Sequence, residues 1–192
     1  MNAYTVVLYL HLLALFLGIG AGGVLLVCLF QLRAARTLEQ AVPFGVIAGK
    51  AGRVFPVAIL GLFASGAYMT SHSWTWGTRW IDVAIAALVI LGAQGGGVAE
   101  RTGKKLEAAL RANGPGELGP DCRRMALHPG LWVVEFSNLG LVFGIVWDMT
   151  QKPGLGGSIA AALGGYVVGA ALALWLTRVP QEELAAAPET AG

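Results

Sequence analysis

Five long apolar stretches dominate the chain, and short polar or charged segments separate them. They cover residues 3–30, 54–70, 80–99, 131–147 and 155–177. A membrane-spanning helix needs about 20 mainly apolar residues. None of the stretches alternates apolar and polar positions with a period of two, which excludes a transmembrane barrel. Lipid offers no partner to backbone N–H and C=O groups, so each stretch is predicted to be a helix. The pattern predicts an all-α, polytopic membrane bundle of five transmembrane helices.

The segments between the stretches predict some further structure. Residues 31–53 are partly apolar and are expected to lie on the membrane surface before entering the second span. Residues 100–111 are charged and are expected to continue the third span as a helix outside the lipid. The loop 112–130 is rich in glycine and proline, so we expect it to be irregular and mobile. Residues 180–192 are expected to form a disordered tail, which leaves residues 1–179 as one transmembrane domain.

Composition and charge agree with a membrane location and add an orientation. The chain is 56% hydrophobic and 12% charged, whereas soluble domains are about 25% charged. Of the 13 lysine and arginine residues, all but Arg79 and Lys152 fall on one side of the alternating topology. Basic loops remain in the cytoplasm, so the N-terminus is predicted outside and the C-terminus inside. Topology accounts for the basic clusters, so we expect them to meet anionic lipid headgroups rather than nucleic acid.

Tryptophans lie near the ends of the predicted spans, where aromatic residues anchor helices at the membrane interface. Those at the outer ends are Trp74, Trp76, Trp80 and Trp147, and those at the inner ends are Trp132 and Trp175.

Glycines four residues apart recur in four of the five stretches. The pairs are Gly18/Gly22, Gly92/Gly96, Gly140/Gly144 and Gly165/Gly169. This spacing lets two helix backbones approach closely, so it predicts a compact bundle. The run of three glycines at 95–97 is interpreted in the same way, as a site of tight helix packing. The alternative for that run is a local break of the helix beside a ligand.

Polar residues within the apolar stretches are the candidates for function, because polar groups are costly in lipid. Glu135 and Asn138 are three residues apart and share one face of the fourth helix. Gln94 on the third helix falls at a similar depth. A contact of Glu135 with Gln94, or an ion pair with Arg101, is the favoured interpretation. The alternative is a carboxylate that carries a proton across the membrane.

Histidines are the other candidates, since histidine binds metals and holds haem iron axially. His11 lies about 10 Å from the outer end of the first helix, and His72 closes the second helix on the same side. Their difference in depth argues against a direct pair. We therefore expect His11 to face inward and to be hydrogen-bonded within the bundle. His128 precedes Pro129 and is expected to cap the fourth helix.

No catalytic or metal-binding motif is present. The sequence has no CxxC, HExxH, P-loop or GxSxG pattern, and Cys28 and Cys122 give no disulfide framework. We assign no catalytic residue and no metal ligand from motifs, and the balance is against an enzyme.

Three short segments resemble known families. They are YLHLLALFLGIG at residues 9–20, GRVFP at 52–56 followed by Ser65-Gly66, and WGTRWI at 76–81. Together they resemble an uncharacterised bacterial family of predicted integral membrane proteins, which implies a multi-pass protein of the bacterial cytoplasmic (inner) membrane. The opening of the first span is also similar to CopD-type copper-resistance proteins and HemJ-type protoporphyrinogen oxidases. That similarity implies a role for His11 in metal or haem chemistry. The chain departs from those families in having no second well-placed membrane histidine.

Three functions remain open from the sequence. The first is a non-enzymatic accessory or structural component of the membrane. The second is a haem- or metal-associated redox protein that uses His11, with haem as its cofactor and His72 as a weaker candidate ligand. The third is a small proton-coupled carrier that uses Glu135, Asn138 and His11. The bilayer itself is the expected partner, with a homo-oligomer or a larger membrane complex around the chain.

Overall fold

The computed structural model describes residues 2–126 and 128–178, and 88% of this part of the chain is helical, with no strand among these residues. Five helical stretches within it are long and apolar enough to cross a membrane, which agrees with the predicted all-α fold and its five spans. The predicted tail at 180–192 lies outside the described residues. The helices are α1 (Ala3–Ala34), α2 (Leu38–Gly52), α3 (Val54–Ser73), α4 (Arg79–Ala93), a π-helical segment (Gln94–Ala99), α5 (Glu100–Ala112), α6 (Pro120–Ala126), α7 (Pro129–Gln151) and α8 (Leu155–Arg178).

Side-chain caps define where several helices begin. The Asn2 side chain accepts a hydrogen bond from Tyr4 N at the start of α1. Thr37 opens α2 with a reciprocal capping box, which satisfies two otherwise free N–H groups. His128 caps α7, its Nδ1 accepting from Gly130 N at 3.0 Å, and this confirms the predicted cap. α7 ends at Gln151, and the next residue, Lys152, has a left-handed backbone with φ 50°, as is common just past a helix.

The segment 31–53 was predicted to lie on the membrane surface, and its structure differs from that prediction. α1 continues to Ala34, and α2 then folds back along α1 and leads almost directly into α3. Pro56 explains the interruption between α2 and α3. Its ring cannot donate a hydrogen bond and clashes with the carbonyl four residues earlier, which belongs to Gly52, the last residue of α2.

The end of α1 packs with α2, α5 and α6 into a small apolar cluster. Its buried members are Leu32, Ala35, Ala41, Leu106, Leu110 and Cys122. The predicted charged helix at 100–111 is confirmed as α5. The loop 112–130 was expected to be irregular, but it contains α6. Its first part is held by Asn113, whose Oδ1 accepts from Gly119 N at 2.8 Å.

The backbones of α7 and α8 touch at Gly140, Gly144, Gly165 and Gly169. A Cβ atom on any of these glycines would collide with backbone atoms of the facing helix. Lipid tails are as apolar as the helix surfaces, so the hydrophobic effect does not drive membrane helices together. Close van der Waals contact of this kind holds them together instead. These two helices form the most extensive pair in the described bundle.

The other two spaced pairs pack less closely. A Cβ on Gly18 would lie 3.5 Å from the Cβ of Ala58, and one on Gly92 would lie 3.9 Å from Ile59. At Gly22 and Gly96 a Cβ would meet nothing within 4 Å among the described residues. Spacing alone therefore does not distinguish the glycines that carry a backbone contact.

The glycine run at 95–97 was expected to mark tight packing, and that expectation is wrong. A Cβ built on Gly95, Gly96 or Gly97 would meet nothing within 4 Å of the described structure. Instead, Gln94–Ala99 forms a π-helix between α4 and α5. Glycine weakens an α-helix, and π-helical turns are frequent at functional positions. The structure therefore supports the local break of the alternative interpretation, and the ligand beside it stays a prediction.

Trp132 differs from its expected place at the membrane interface. Its side chain is only 1% exposed. It packs edge-on against Phe30, with ring centroids 4.6 Å apart, and stacks on Phe136. The tryptophan therefore belongs to the contact between α1 and α7. Trp147 and Trp175 are exposed, as interface anchors are.

Candidate functional site: polar groups buried between the helices

His11 is buried between α1 and α3, as expected, and its partner is Ser65. The ring is 6% exposed, and Nδ1 lies 2.9 Å from Ser65 Oγ. Small residues let the two helices come this close. A Cβ on Gly66 would lie 3.6 Å from His11 Cε1, and one on Gly61 would lie 3.1 Å from Ala14. The histidine therefore fills a space that the glycine at 66 leaves open.

The bonds of Ser65 fix the tautomer of His11. The single hydroxyl proton of Ser65 is donated to the carbonyl of Gly61, one turn back on α3. Ser65 Oγ must then accept from His11, so Nδ1 carries the proton. In a neutral imidazole with a protonated Nδ1, Nε2 holds the free lone pair. The assignment follows from the hydrogen-bond network.

His72 lies apart from His11. It stacks on Tyr68, with ring centroids 5.7 Å apart and an interplanar angle of 11°, and on Tyr4 at 6.3 Å. It follows Ser65 by seven residues on α3, which is about 10 Å along the axis. The two histidines cannot share one ion at that separation. The structure therefore brings each histidine to a different level, as the depth argument predicted.

The residues around His11 do not fit a haem or metal site. With Nδ1 protonated, Nε2 has the free lone pair that a metal ligand needs, and the Ser65 hydroxyl accepts from Nδ1 as the second-shell partner of a ligating histidine does. However, the ring is enclosed by two packed helices. The described residues contain no group of three or more histidine, cysteine, aspartate or glutamate side chains that could hold a metal. The geometry matches a hydrogen bond that links two helices more closely than it matches an axial ligand.

Glu135, Asn138 and Gln94 come to one region but do not bond to one another. Gln94 Nε2 instead donates to Tyr166 Oη on α8 at 3.2 Å. The expected contacts of Glu135 with Gln94 or Arg101 are not found. Within the described residues the half-buried Glu135 carboxylate forms no hydrogen bond or ion pair. Asn138 Oδ1 is also buried without a partner.

Glu135 and Asn138 lie on α7, which packs against the π-helical segment. Glu135 and Asn138 share the face of α7 that is turned away from α8. A half-buried carboxylate without a partner, next to an irregular helix, could accept and release a proton. It is the titratable side chain in this region that no described neighbour bonds.

Sequence reasoning assigned no role to three polar residues that the structure buries completely. Ser137, Asp148 and Ser158 are each 0% exposed. All three lie at the α7–α8 contact. Asp148 gave a weak signal in the sequence, an acidic side chain one residue beyond the fourth apolar stretch. That position looked like the solvated end of a helix, and its burial depends on how the neighbouring helices pack.

Comparison of the chain with protein-family models, with curated proteins and with solved structures finds no match. Function must therefore be argued from these buried groups and their surroundings.

Proposed function

We propose that this chain is a non-enzymatic, structural or accessory component of a bacterial cytoplasmic membrane. The observation that supports it is the bond between His11 and Ser65. The histidine that the CopD-type and HemJ-type resemblance singles out uses its Nδ1 proton to join two helices, and its ring is buried between them. Polar side chains serve as such links in many membrane bundles.

The surface of the bundle supports a partner within the membrane. Large apolar side chains are exposed along most of the spans, for example Phe16, Leu60 and Val168. Lipid covers such a surface in a monomer, and another protein covers it in a complex. A second copy of the chain or a larger membrane assembly is the partner that we propose, with the N-terminus outside and the C-terminus inside.

A reduced-minus-oxidised visible spectrum of the protein in mild detergent tests the proposal, together with metal analysis of the same sample. We expect a colourless and metal-free protein. A Soret band or a stoichiometric metal that disappears in His11→Ala, and that is weakened in Ser65→Ala, would overturn the proposal in favour of a redox protein.

A double-mutant cycle tests the structural role of His11 directly. His11→Leu and Ser65→Ala should each lower the free energy of unfolding in detergent, and their effects should not add. The expected coupling is about 0.6 kcal/mol, with an upper bound of about 1.7 kcal/mol, as for other hydrogen bonds between membrane helices. Additive effects would show that the two side chains do not stabilise the fold through their mutual bond.

A proton-coupled carrier is the second candidate, and the unpartnered Glu135 carboxylate favours it. Proteoliposomes containing a pH-sensitive dye would report proton flux under an imposed gradient. If Glu135 carries the proton, Glu135→Gln abolishes the flux. Glu100→Gln on α5 is the matched control, because Glu100 is an exposed carboxylate paired with Lys104. Equal flux in wild type and Glu135→Gln would eliminate this candidate.

A further inference from the structure

Asp148 is a fully buried acid whose charge no neighbour balances. Its side chain is 0% exposed, and neither carboxylate oxygen has a hydrogen-bond partner in the described structure. An ionised carboxylate without a partner is far too costly to bury, so such a group takes up a proton or binds a cation. The acid is distinct from Glu135, since a separation of 13 positions turns the two side chains about 140° apart on α7.

The α7–α8 contact places Asp148 beside the first turn of α8. A Cβ on Gly144 would meet Ala161 and Ala162. The helices are antiparallel, so Asp148, one turn further along α7, lies level with residues 157–158. Ser158 is also 0% exposed, and its hydroxyl faces the Pro153 carbonyl at 3.4 Å. Carboxylate, hydroxyl and carbonyl oxygen atoms therefore lie at the end where α7 connects to α8.

The charged side chains near the α7–α8 connection do not face Asp148. Lys152 Nζ lies over the Trp74 ring, 4.9 Å from its centroid. Arg79 and Asp82, in the first turn of the neighbouring α4, are exposed, as is His72. No ion pair joins any of these groups to Asp148 within the described residues. The counter-charge must therefore come from the solution.

We propose that Asp148 is a binding site for a small monovalent cation, a proton or a sodium ion. The carboxylate supplies the charge, and the Ser158 hydroxyl and the Pro153 carbonyl supply further oxygen atoms. Carboxylate, hydroxyl and carbonyl oxygens suit hard cations, and helix ends inside membrane proteins hold sodium ions or protons in this way. The site is about 6 Å from Lys152 along α7, so the cation enters from the side on which the α7–α8 connection lies. It is independent of the proposed structural role of His11.

Carbodiimide labelling of the full-length protein, mapped by peptide mass spectrometry, tests the site. Dicyclohexylcarbodiimide modifies protonated carboxylic acids in apolar surroundings. If the cation is a proton, Asp148 is labelled, the labelled fraction falls as the pH rises, and sodium chloride has no effect. If the cation is sodium, sodium chloride protects Asp148 from labelling, whereas choline chloride at the same ionic strength does not.

Thermal unfolding in the two salts provides a second measurement. A sodium site predicts a rise in melting temperature of about 3 °C or more for each tenfold increase in sodium above its dissociation constant. That rise should be absent in Asp148→Asn and reduced in Ser158→Ala. For a proton site, Asp148→Asn should retain the wild-type melting temperature at low pH and lose its fall at high pH.

An unlabelled Asp148, together with equal wild-type melting temperatures in sodium and choline at every pH, would overturn the proposal. Both measurements are made on the wild-type protein, so the test does not depend on whether Asp148→Asn folds. Labelling of Glu135 in the same sample is read separately after chymotryptic digestion, because Phe136, Phe143 and Trp147 provide cleavage sites between the two acids.

Discussion

Arg33 joins three helices through a single side chain. Its Nη2 donates to the Thr177 carbonyl at the end of α8, at 3.2 Å. Its guanidinium carbon lies 5.4 Å from the centroid of the Trp132 ring on α7. The last carbonyls of a helix have no partner within it and carry partial negative charge. A cation from α1 therefore ties the ends of α7 and α8 together, which charge counting alone did not reveal.

Removing this cation should weaken the fold. Arg33→Gln is expected to lower the free energy of unfolding by about 1–3 kcal/mol, because it loses both the cation–π contact and a charged hydrogen bond. Arg36→Gln is the matched control, since Arg36 is exposed on the same segment. Denaturant titrations in detergent micelles would measure both variants. Equal losses would mean that Arg33 acts only through its charge.

The sequence predicted which single residues are buried better than it predicted their partners. His11 was expected to face inward, because an exposed imidazole in lipid is costly. Ser65, its partner, is 54 residues away, and no local pattern connects the two. Gln94 was expected near Glu135 from its depth, but depth does not give the direction of a side chain around the helix. Its bond to Tyr166 depends on where α8 packs.

Among the helices, the long apolar ones were predicted and the short ones were not. Hydrophobic length defines a span because lipid imposes it. α6 has 7 residues and no apolar stretch, and the sequence showed only its glycine- and proline-rich surroundings. The moderate apolar content of residues 31–53 led to the prediction of a surface segment. The position of α2 depends instead on its packing against α1 and α5. The π-helical segment could not be separated from tight glycine packing, since both use the same residues.

Two adjacent glycines in α8 offer a direct test of the α7–α8 contact. Gly165→Ala places a methyl group against the backbone of Gly140, whereas the same change at Gly164 meets nothing within 4 Å. We expect Gly165→Ala to destabilise the protein by about 1–3 kcal/mol, the usual cost of overpacking. Gly164→Ala should be neutral or slightly stabilising, because alanine favours helix. Similar melting temperatures for the two variants would contradict the close contact.

For the whole molecule, the number of spans was predictable, while the orientation rests on charge. The described structure has five stretches that can cross a membrane, in agreement with the hydrophobic pattern. All lysine and arginine residues except Arg79 and Lys152 fall on one side of the predicted topology, and basic loops remain in the cytoplasm, which predicts the orientation. Contacts within the fold do not depend on which side faces the cytoplasm.

Cysteine accessibility measures the orientation. Ser73→Cys places a thiol at the exposed end of α3, and Pro115→Cys places one in the exposed connection between α5 and α6, while the native Cys28 and Cys122 are buried. In intact cells a membrane-impermeant maleimide should label Ser73→Cys alone. Pro115→Cys should react only after the membrane is permeabilised. The reverse pattern would place the N-terminus in the cytoplasm.

The contact between α7 and α8 also has a consequence for biogenesis. α7 carries an open glycine groove and a buried acid, and its best window has a mean hydropathy of 1.5 against 2.0 for α8. Left alone in lipid, α7 would expose both features until α8 was synthesised. Since only residues 152–154 separate the two helices, they can leave the translocation channel together as one hairpin. A nascent chain that stopped before α8 would therefore present α7 to quality-control proteases as an unfinished product.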